Sequence, residues 1–265
     1  MTTDALPPRP LAGVDIEASR IYAVTGHWHL RGFMTDQQQD AFLAAARGLK
    51  TTAPLVQPTM RDGTPMSVRV SSFGQRGWWA DAQGYRYIEK HPTTKRGFPA
   101  IPLDVWAATS HALSAAAYYT SCCLPGFKTR DWGLPDGVLA HMDGIDTCLV
   151  NHYGEGAELG EHVDQTELDK VSPIVTFSIG ATATFDIKVE VEGAMRTFRH
   201  ELRSGDAIVM AGPSRLAPHR IHHVRPEPQA ELFGSTNYNP LAASAPTTRL
   251  SFTVRRTGFT STKKP

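Results

Sequence analysis

Asn151-His152-Tyr153-Gly154-Glu155-Gly156-Ala157-Glu158-Leu159-Gly160-Glu161-His162-Val163-Asp164 contains two short polar patterns. The first is Asn151-x-Tyr153 and the second is His162-x-Asp164. In an extended segment, side chains two residues apart project from the same face. An imidazole and a carboxylate at that spacing supply two ligands of a 2-His-1-carboxylate set, the facial arrangement that holds iron(II). His-x-Asp alone does not decide the matter. A second copy stands at His141-Met142-Asp143, and a surface loop is the ordinary setting of such a tripeptide.

The flanking sequence gives this stretch a fold. Thr147 to Tyr153 alternates, and Ile174 to Ile179 is rich in β-branched residues. Ala183 to Val191, Met195 to Leu202, Ala207 to Met210 and Arg249 to Arg255 follow as short runs, parted by Gly193 and by Ser204-Gly205-Asp206. Short strands at even spacing with glycine turns predict an all-β sandwich or barrel. A jelly roll gathers strand ends around one open mouth, where a metal would sit. Upstream, Ile21 to Val24 reads as a short strand. Thr35 with Gln38 forms a capping-box pattern. Phe42, Ala45, Ala46 and Leu49 recur at helical spacing, so a helix is expected from about Asp36 to Arg47. Ser67 to Ser71 alternates as a strand. Pro102 suits the first turn of a second helix running to Ser121. Both helices read as buttresses for the sheets. Arg225 to Thr248, with Pro226, Pro228, Pro240 and Pro246, reads as an insertion before the last strand.

Composition sets outer limits. The chain has 265 residues, 41% of them hydrophobic, with five tryptophans, enough for a substantial packed core. A net charge of +1 argues against a nonspecific nucleic-acid coat and leaves room for a local basic patch. Three cysteines, Cys122 and Cys123 adjacent, make no disulfide framework and point to reducing cytosol. Met1 to Pro10 reads as a tail without the basic and apolar regions of a secretory signal. No apolar run is long enough to span a bilayer. No obligate protein partner is evident.

The remaining chemistry lies downstream. Histidines are available as a third ligand at His219, His222 and His223. Arg249 and Arg255 are evenly spaced on the last strand, and a guanidinium grips a carboxylate through two charge-assisted hydrogen bonds. The order Asn-x-Tyr, His-x-Asp, distal His, late Arg suits an iron beside a dicarboxylate co-substrate. Over roughly Pro54 to Arg256 the chain resembles the AlkB family of iron(II)- and 2-oxoglutarate-dependent dioxygenases, which dealkylate nucleic-acid bases. The blocks are Gly77-Trp78, Gln83-Gly84-Tyr85-x-Tyr87, Cys148 to Tyr153, His162-Val163-Asp164, Pro173 to Gly180, Gly205-Asp206, Ser214-Arg215-Leu216 with His219, and Arg249 with Arg255. Their joint order selects His162-x-Asp164 over the earlier copy, and the place after Ser214-Arg215-Leu216 selects His219.

The resemblance implies a mainly β fold: a double-stranded β-helix core with N-terminal helices packed on one side and a nucleotide-recognition lid. It divides the chain into a tail and buttressing helix (1–53), the lid (54–100) and a helix plus catalytic core (101–265). It implies iron(II) on His162, Asp164 and His219, and 2-oxoglutarate with dioxygen as co-substrates. Asn151, Tyr153, Arg249 and Arg255 would line the co-substrate site. Trp78 would stack on the target base, Tyr85 would hold the substrate backbone, and Arg199 would contact substrate. The implied partner is alkylated DNA carrying N1-methyladenine or N3-methylcytosine, with RNA as a second candidate. The alternative is an oxygenase of the same fold acting on a small molecule or protein. Thr166 stands where bacterial members carry a second acid. Glu167, its neighbour, would point elsewhere on a strand. Ser251 replaces an Asn and Met210 an aromatic. These departures touch substrate choice and leave the metal set intact.

Overall fold

The computed structural model describes residues 16–124, 126–134, 144–154, 156–225 and 248–259. The elements run α1 (Ile16–Thr25), β1 (His27–Leu30), α2 (Asp36–Thr52), β2 (Val68–Gly74), β3 (Gly77–Asp81), β4 (Gly84–Ile88) and α3 (Leu103–Cys123). Then come β5 (Thr147–Tyr153), β6 (Leu159–His162), β7 (Ile174–Gly180), β8 (Thr182–Val191), β9 (Ala194–Leu202), β10 (Ala207–Met210), β11 (His219–Arg225) and β12 (Arg249–Arg255). A six-stranded major sheet has the order β1-β10-β7-β12-β5-β2, and a four-stranded minor sheet the order β6-β11-β8-β9. Neighbouring strands in both are antiparallel. Hairpin β3-β4 stands apart as its own two-stranded sheet.

Period-two alternation in the major sheet separates helix support from site. Cys148 and Val150 of β5, Val175 and Phe177 of β7, and Phe252 and Val254 of β12 face α2 and α3. Phe42 of α2 meets Phe177 and Phe252 edge-on at 5.3 and 4.9 Å. A buried aromatic of this kind contributes roughly 1.5–3 kcal/mol. From α3, Val105, Ala108, Ala112 and Ala116 pack on the same face, the alanines allowing close approach. The opposite face presents Leu149, Asn151 and Tyr153 from β5 and Arg249, Ser251, Thr253 and Arg255 from β12 toward the minor sheet. The double-stranded β-helix with helices on one side is therefore as expected.

Several local expectations change. Ile21 to Val24 is the last part of α1, not a strand. Its short apolar run fits either state, and the preceding residues carry the helix into it. Helix α2 has the expected capping box, with the Gln38 amide donating to Thr35 Oγ1 and the Thr35 amide to Gln38 Oε1. It continues to Thr52 rather than Arg47. One internal glycine, Gly48, costs about 1 kcal/mol, and burial of Leu49 offsets it. The N-terminal region contributes β1 as one edge of the major sheet, and the 54–100 region contributes β2 as the other. Strands β1, β3, β4, β6 and β11 are additional. The tail at 1–10, His141-x-Asp143 and the proline-rich 226–247 lie outside the described residues. No helix among the described residues is long and apolar enough to cross a membrane.

Candidate active site

His162 and His219 are register partners on β6 and β11, so adjacent antiparallel strands bring residues 57 apart in sequence side by side. Their ring centroids are 4.4 Å apart. His162 Nδ1 lies 2.8 Å from the Gly160 carbonyl, and His219 Nδ1 lies 2.9 Å from that of Ala217. A carbonyl only accepts, so each Nδ1 carries the proton and each Nε2 offers a lone pair. Both Nε2 atoms face Asp164, at 3.9 Å to Oδ1 and 3.8 Å to Oδ2. These distances exceed a hydrogen bond. They suit two atoms each about 2.1 Å from one shared ion. All three ligand atoms lie within 4.8 Å of one another. The donor set thus fits a divalent metal on a facial triad.

Asp164 follows the end of β6 and owes its place to side chains from elsewhere. Arg215 is 2% exposed, and its guanidinium donates to the carbonyls of Asp164 (2.8 Å), Ser172 (2.8 Å) and Asp169 (3.0 Å). Ser214 beside it donates to the Gly26 carbonyl at 2.6 Å. Ser214-Arg215 therefore pins the segment carrying the carboxylate, four residues before the second histidine. Arg255 approaches Asp164 Oδ2 at 3.1 Å. Burial alone would raise the Asp164 carboxyl, but the charges of Arg255, His219, His162 and Arg215 outweigh it and hold it well below the ordinary carboxylate range. Burial lowers the His219 imidazole, partly opposed by Asp164, and this favours the neutral ligand form.

A cavity of about 350 Å³ opens beside the triad. Arg249 lies at its floor, fully buried, opposite Tyr153 in the β5–β12 register. One terminal nitrogen donates to Ser178 Oγ at 2.8 Å, while Nε and the other terminal nitrogen have no partner among the described residues. A buried guanidinium with two unmet donors is a socket for an anion. Asn151 and Tyr153 line the same cavity, as do Thr166, Met210 and Ser251. Arg255 also lines it. Its terminal nitrogens are engaged by Asp164 and by Glu167 Oε1, at 3.1 and 2.5 Å, and only Nε is unmet.

Trp78 and Tyr85 from hairpin β3-β4 form part of the cavity wall. They stack on each other with centroids 5.6 Å apart and planes 20° apart. Arg76 and Arg86 on this side are paired with Glu89 and Asp81. Arg199 is not brought to the cavity. It sits on β9 with its Nε 2.7 Å from Asp186 Oδ1, while Arg220 and His222 engage the other oxygen, Oδ2, of the same carboxylate. The reason is register: the two-residue turn Glu192–Gly193, both at positive φ, sets Arg199 opposite Asp186.

Glu167 corrects the expectation drawn from strand alternation. Residues 163–173 form no strand, and the Glu167 side chain is buried between Tyr87 and Arg255. Burial opposes its ionisation, but Arg255 prevails and keeps its pKa low. The Tyr87 hydroxyl donates to it at 2.6 Å, and burial pushes that phenol well above its usual range. This Tyr87–Glu167–Arg255–Asp164 chain connects the hairpin to the triad.

The matches to known proteins agree with this geometry. The family model of the 2OG-Fe(II) oxygenase superfamily matches residues 26–255. The alpha-ketoglutarate-dependent dioxygenase AlkB homolog of Caulobacter vibrioides is 31% identical over 231 residues, 86% of this chain and 91% of that protein. The nucleic acid dioxygenase ALKBH1 of Homo sapiens is 37% identical over 102 residues, 37% of this chain and 25% of that one. The solved structure of OsALKBH1 superimposes with a TM-score of 0.67 at 24% identity, covering 88% of this chain and 97% of that one, a likeness of fold. Similarity of this extent means that the chain belongs to the AlkB family of 2OG-Fe(II) oxygenases, dioxygenases that use iron(II), 2-oxoglutarate and dioxygen.

Proposed function

We propose that this chain oxidatively removes methyl groups from base nitrogens, with N1-methyladenine and N3-methylcytosine in DNA as first substrates and RNA second. This is direct repair of alkylation damage. The observation that carries the reading is the stacked Trp78–Tyr85 wall on the same cavity as the His162, Asp164 and His219 cluster. A base must leave its helix to reach a reactive centre, and a flat aromatic wall meets its π-face. The relative named a nucleic acid dioxygenase supports the same substrate class.

In this proposal His162, Asp164 and His219 hold the iron, their tautomers set by Gly160 and Ala217. Arg249 takes the far carboxylate of 2-oxoglutarate on its two free donors, with Asn151 and Tyr153 alongside. Arg255 orients Asp164 and keeps Nε for the near end of the co-substrate. Iron and co-substrate, when bound, supply the oxidant that hydroxylates the methyl group, whose hemiaminal then releases an aldehyde and the repaired base. Trp78 stacks on the base, and the exposed Tyr85 offers its hydroxyl to the backbone. Thr166 at the cavity is uncharged, so its hydroxyl can donate to one base and accept from another. Three free thiols suit a reducing cytosol.

The test is succinate release with methylated and unmethylated oligonucleotides. N1-methyladenine or N3-methylcytosine should stimulate turnover, and Trp78→Ala should abolish the stimulation. If methylated strands stimulate no more than unmethylated ones while a metabolite or peptide does, the chain acts on a small molecule or protein instead.

A further inference from the structure

The outward face of the minor sheet carries a second set of ligands. On β11, His219 and Ile221 face the cavity, so Arg220 and His222 face away from it. Regular alternation would return His223 to the cavity side. Instead the β11–β8 pairing slips between His222 and Arg225, and His223 takes φ of 52°. An L-residue other than glycine is strained there, and strain of this kind concentrates at working sites. The result is two consecutive imidazoles side by side, centroids 4.3 Å apart and planes 51° apart.

Glu158 reaches the same place from the turn before β6. Its backbone is fixed by Ser67, whose hydroxyl donates to the Glu158 carbonyl and accepts from the Glu158 amide at 3.2 Å. The ligand atoms of Glu158, His222 and His223 all lie within 4.8 Å of one another. Neither the Glu158 carboxylate nor the His223 ring has a hydrogen bond or ion pair of its own among the described residues. His222 Nε2 stands 3.1 Å from Asp186 Oδ2. Donation of the Nε2 proton to Asp186 leaves Nδ1 as the ligand atom, the carboxylate–histidine pairing that orients metal-bound imidazoles. Asp186 is itself held by Arg199 and Arg220.

We propose that Glu158, His222 and His223 bind a second metal ion, separate from the triad, with Asp186 as outer partner. Two imidazoles and one carboxylate, with a position open to solvent, are ligands that zinc(II) takes, and zinc(II) is the ion assigned to this outer site. The ion ties the turn before β6 to β11 from outside, and so braces the short strand that ends in His162.

The experiment uses the full chain with the triad removed, His162→Ala with Asp164→Ala, stripped by chelator and dialysed against micromolar zinc(II). Bound metal is counted by elemental analysis, and cobalt(II) absorption reports the ligand set. The triad-less chain should retain one equivalent. Adding His223→Gly should weaken binding by at least ~100-fold, since a ligand matters more than the outer partners whose loss costs ~10–100-fold. Glycine also relieves the left-handed backbone, so this variant should melt no lower than its parent. Glu158→Gln, at an exposed position, should weaken zinc binding as well. No zinc on the triad-less chain, or one equivalent undiminished by both substitutions, overturns the proposal.

Discussion

Replacing Arg249 by Met should damage co-substrate binding while leaving the empty protein as stable as before, or more so. Among the described residues the fully buried guanidinium donates to Ser178, and two of its nitrogens have no partner. Hydrogen bonds to a charged partner contribute about 1.5–3 kcal/mol each. Two such bonds to a carboxylate therefore contribute roughly 3–6 kcal/mol. At about 1.4 kcal/mol per tenfold, their loss weakens 2-oxoglutarate binding by roughly 10²–10⁴. Arg249→Lys keeps the charge but not the fork, so it should fall between wild type and Met. Stability runs the other way. Met relieves a poorly compensated buried charge, and exchanging buried charges for apolar groups of similar size is often neutral or gains about 1–4 kcal/mol. The contact of the guanidinium with the Tyr153 ring, 5.1 Å to its centroid, opposes this by about 1–2 kcal/mol. Calorimetric titration with 2-oxoglutarate and a thermal melt of the same samples check both halves. A Met variant that binds 2-oxoglutarate within threefold of wild type would refute the assignment. One that melts far below wild type would refute the picture of an unsatisfied charge.

Other outcomes follow from the same geometry. His162→Ala or His219→Ala should each reduce iron-dependent succinate release beyond the ~10–100-fold typical of an outer-shell partner, with the fold retained by circular dichroism. Tyr87→Phe leaves buried Glu167 without its 2.6 Å donor and should cost about 1–3 kcal/mol in urea unfolding. Acid should weaken the fold through His27 and His200, whose imidazoles burial, with neighbouring positive charge, holds down to about 3. Between that value and the unfolded value near 6.5 the unfolded chain binds more protons, so stability falls as pH drops through this window. The loss is about 1.4 kcal/mol per pH unit for each ring, and His27→Phe should flatten the profile of unfolding free energy against pH.

Much of this architecture was legible because strands of the major sheet keep strict alternation. Arg249, Ser251, Thr253 and Arg255 share one face, and Phe252 and Val254 the other, as the spacing requires. Strands β6 and β11 escaped because histidine, arginine and glycine break the apolar rhythm by which strands are recognised. Glu167 departs from strand alternation because 163–173 is held by Arg215 rather than by a ladder. The Arg199 pairing had a signal in the sequence. Counting outward from a two-residue turn at Glu192–Gly193 puts Asp186 opposite Arg199, and opposite charges there form a pair. Ser214-Arg215 was recognisable only as part of a family pattern. Its use, fixing the chain around Asp164, depends on contacts from residues about 50 positions away.

The most direct measurement is an anaerobic titration of the protein with iron(II) and 2-oxoglutarate, followed by visible absorption. Iron held by His162, Asp164 and His219 beside a keto acid seated on Arg249 predicts a charge-transfer band that saturates at one iron per chain and vanishes in Asp164→Ala. A band of unchanged intensity in that variant, or no band in the wild-type protein, would contradict the account.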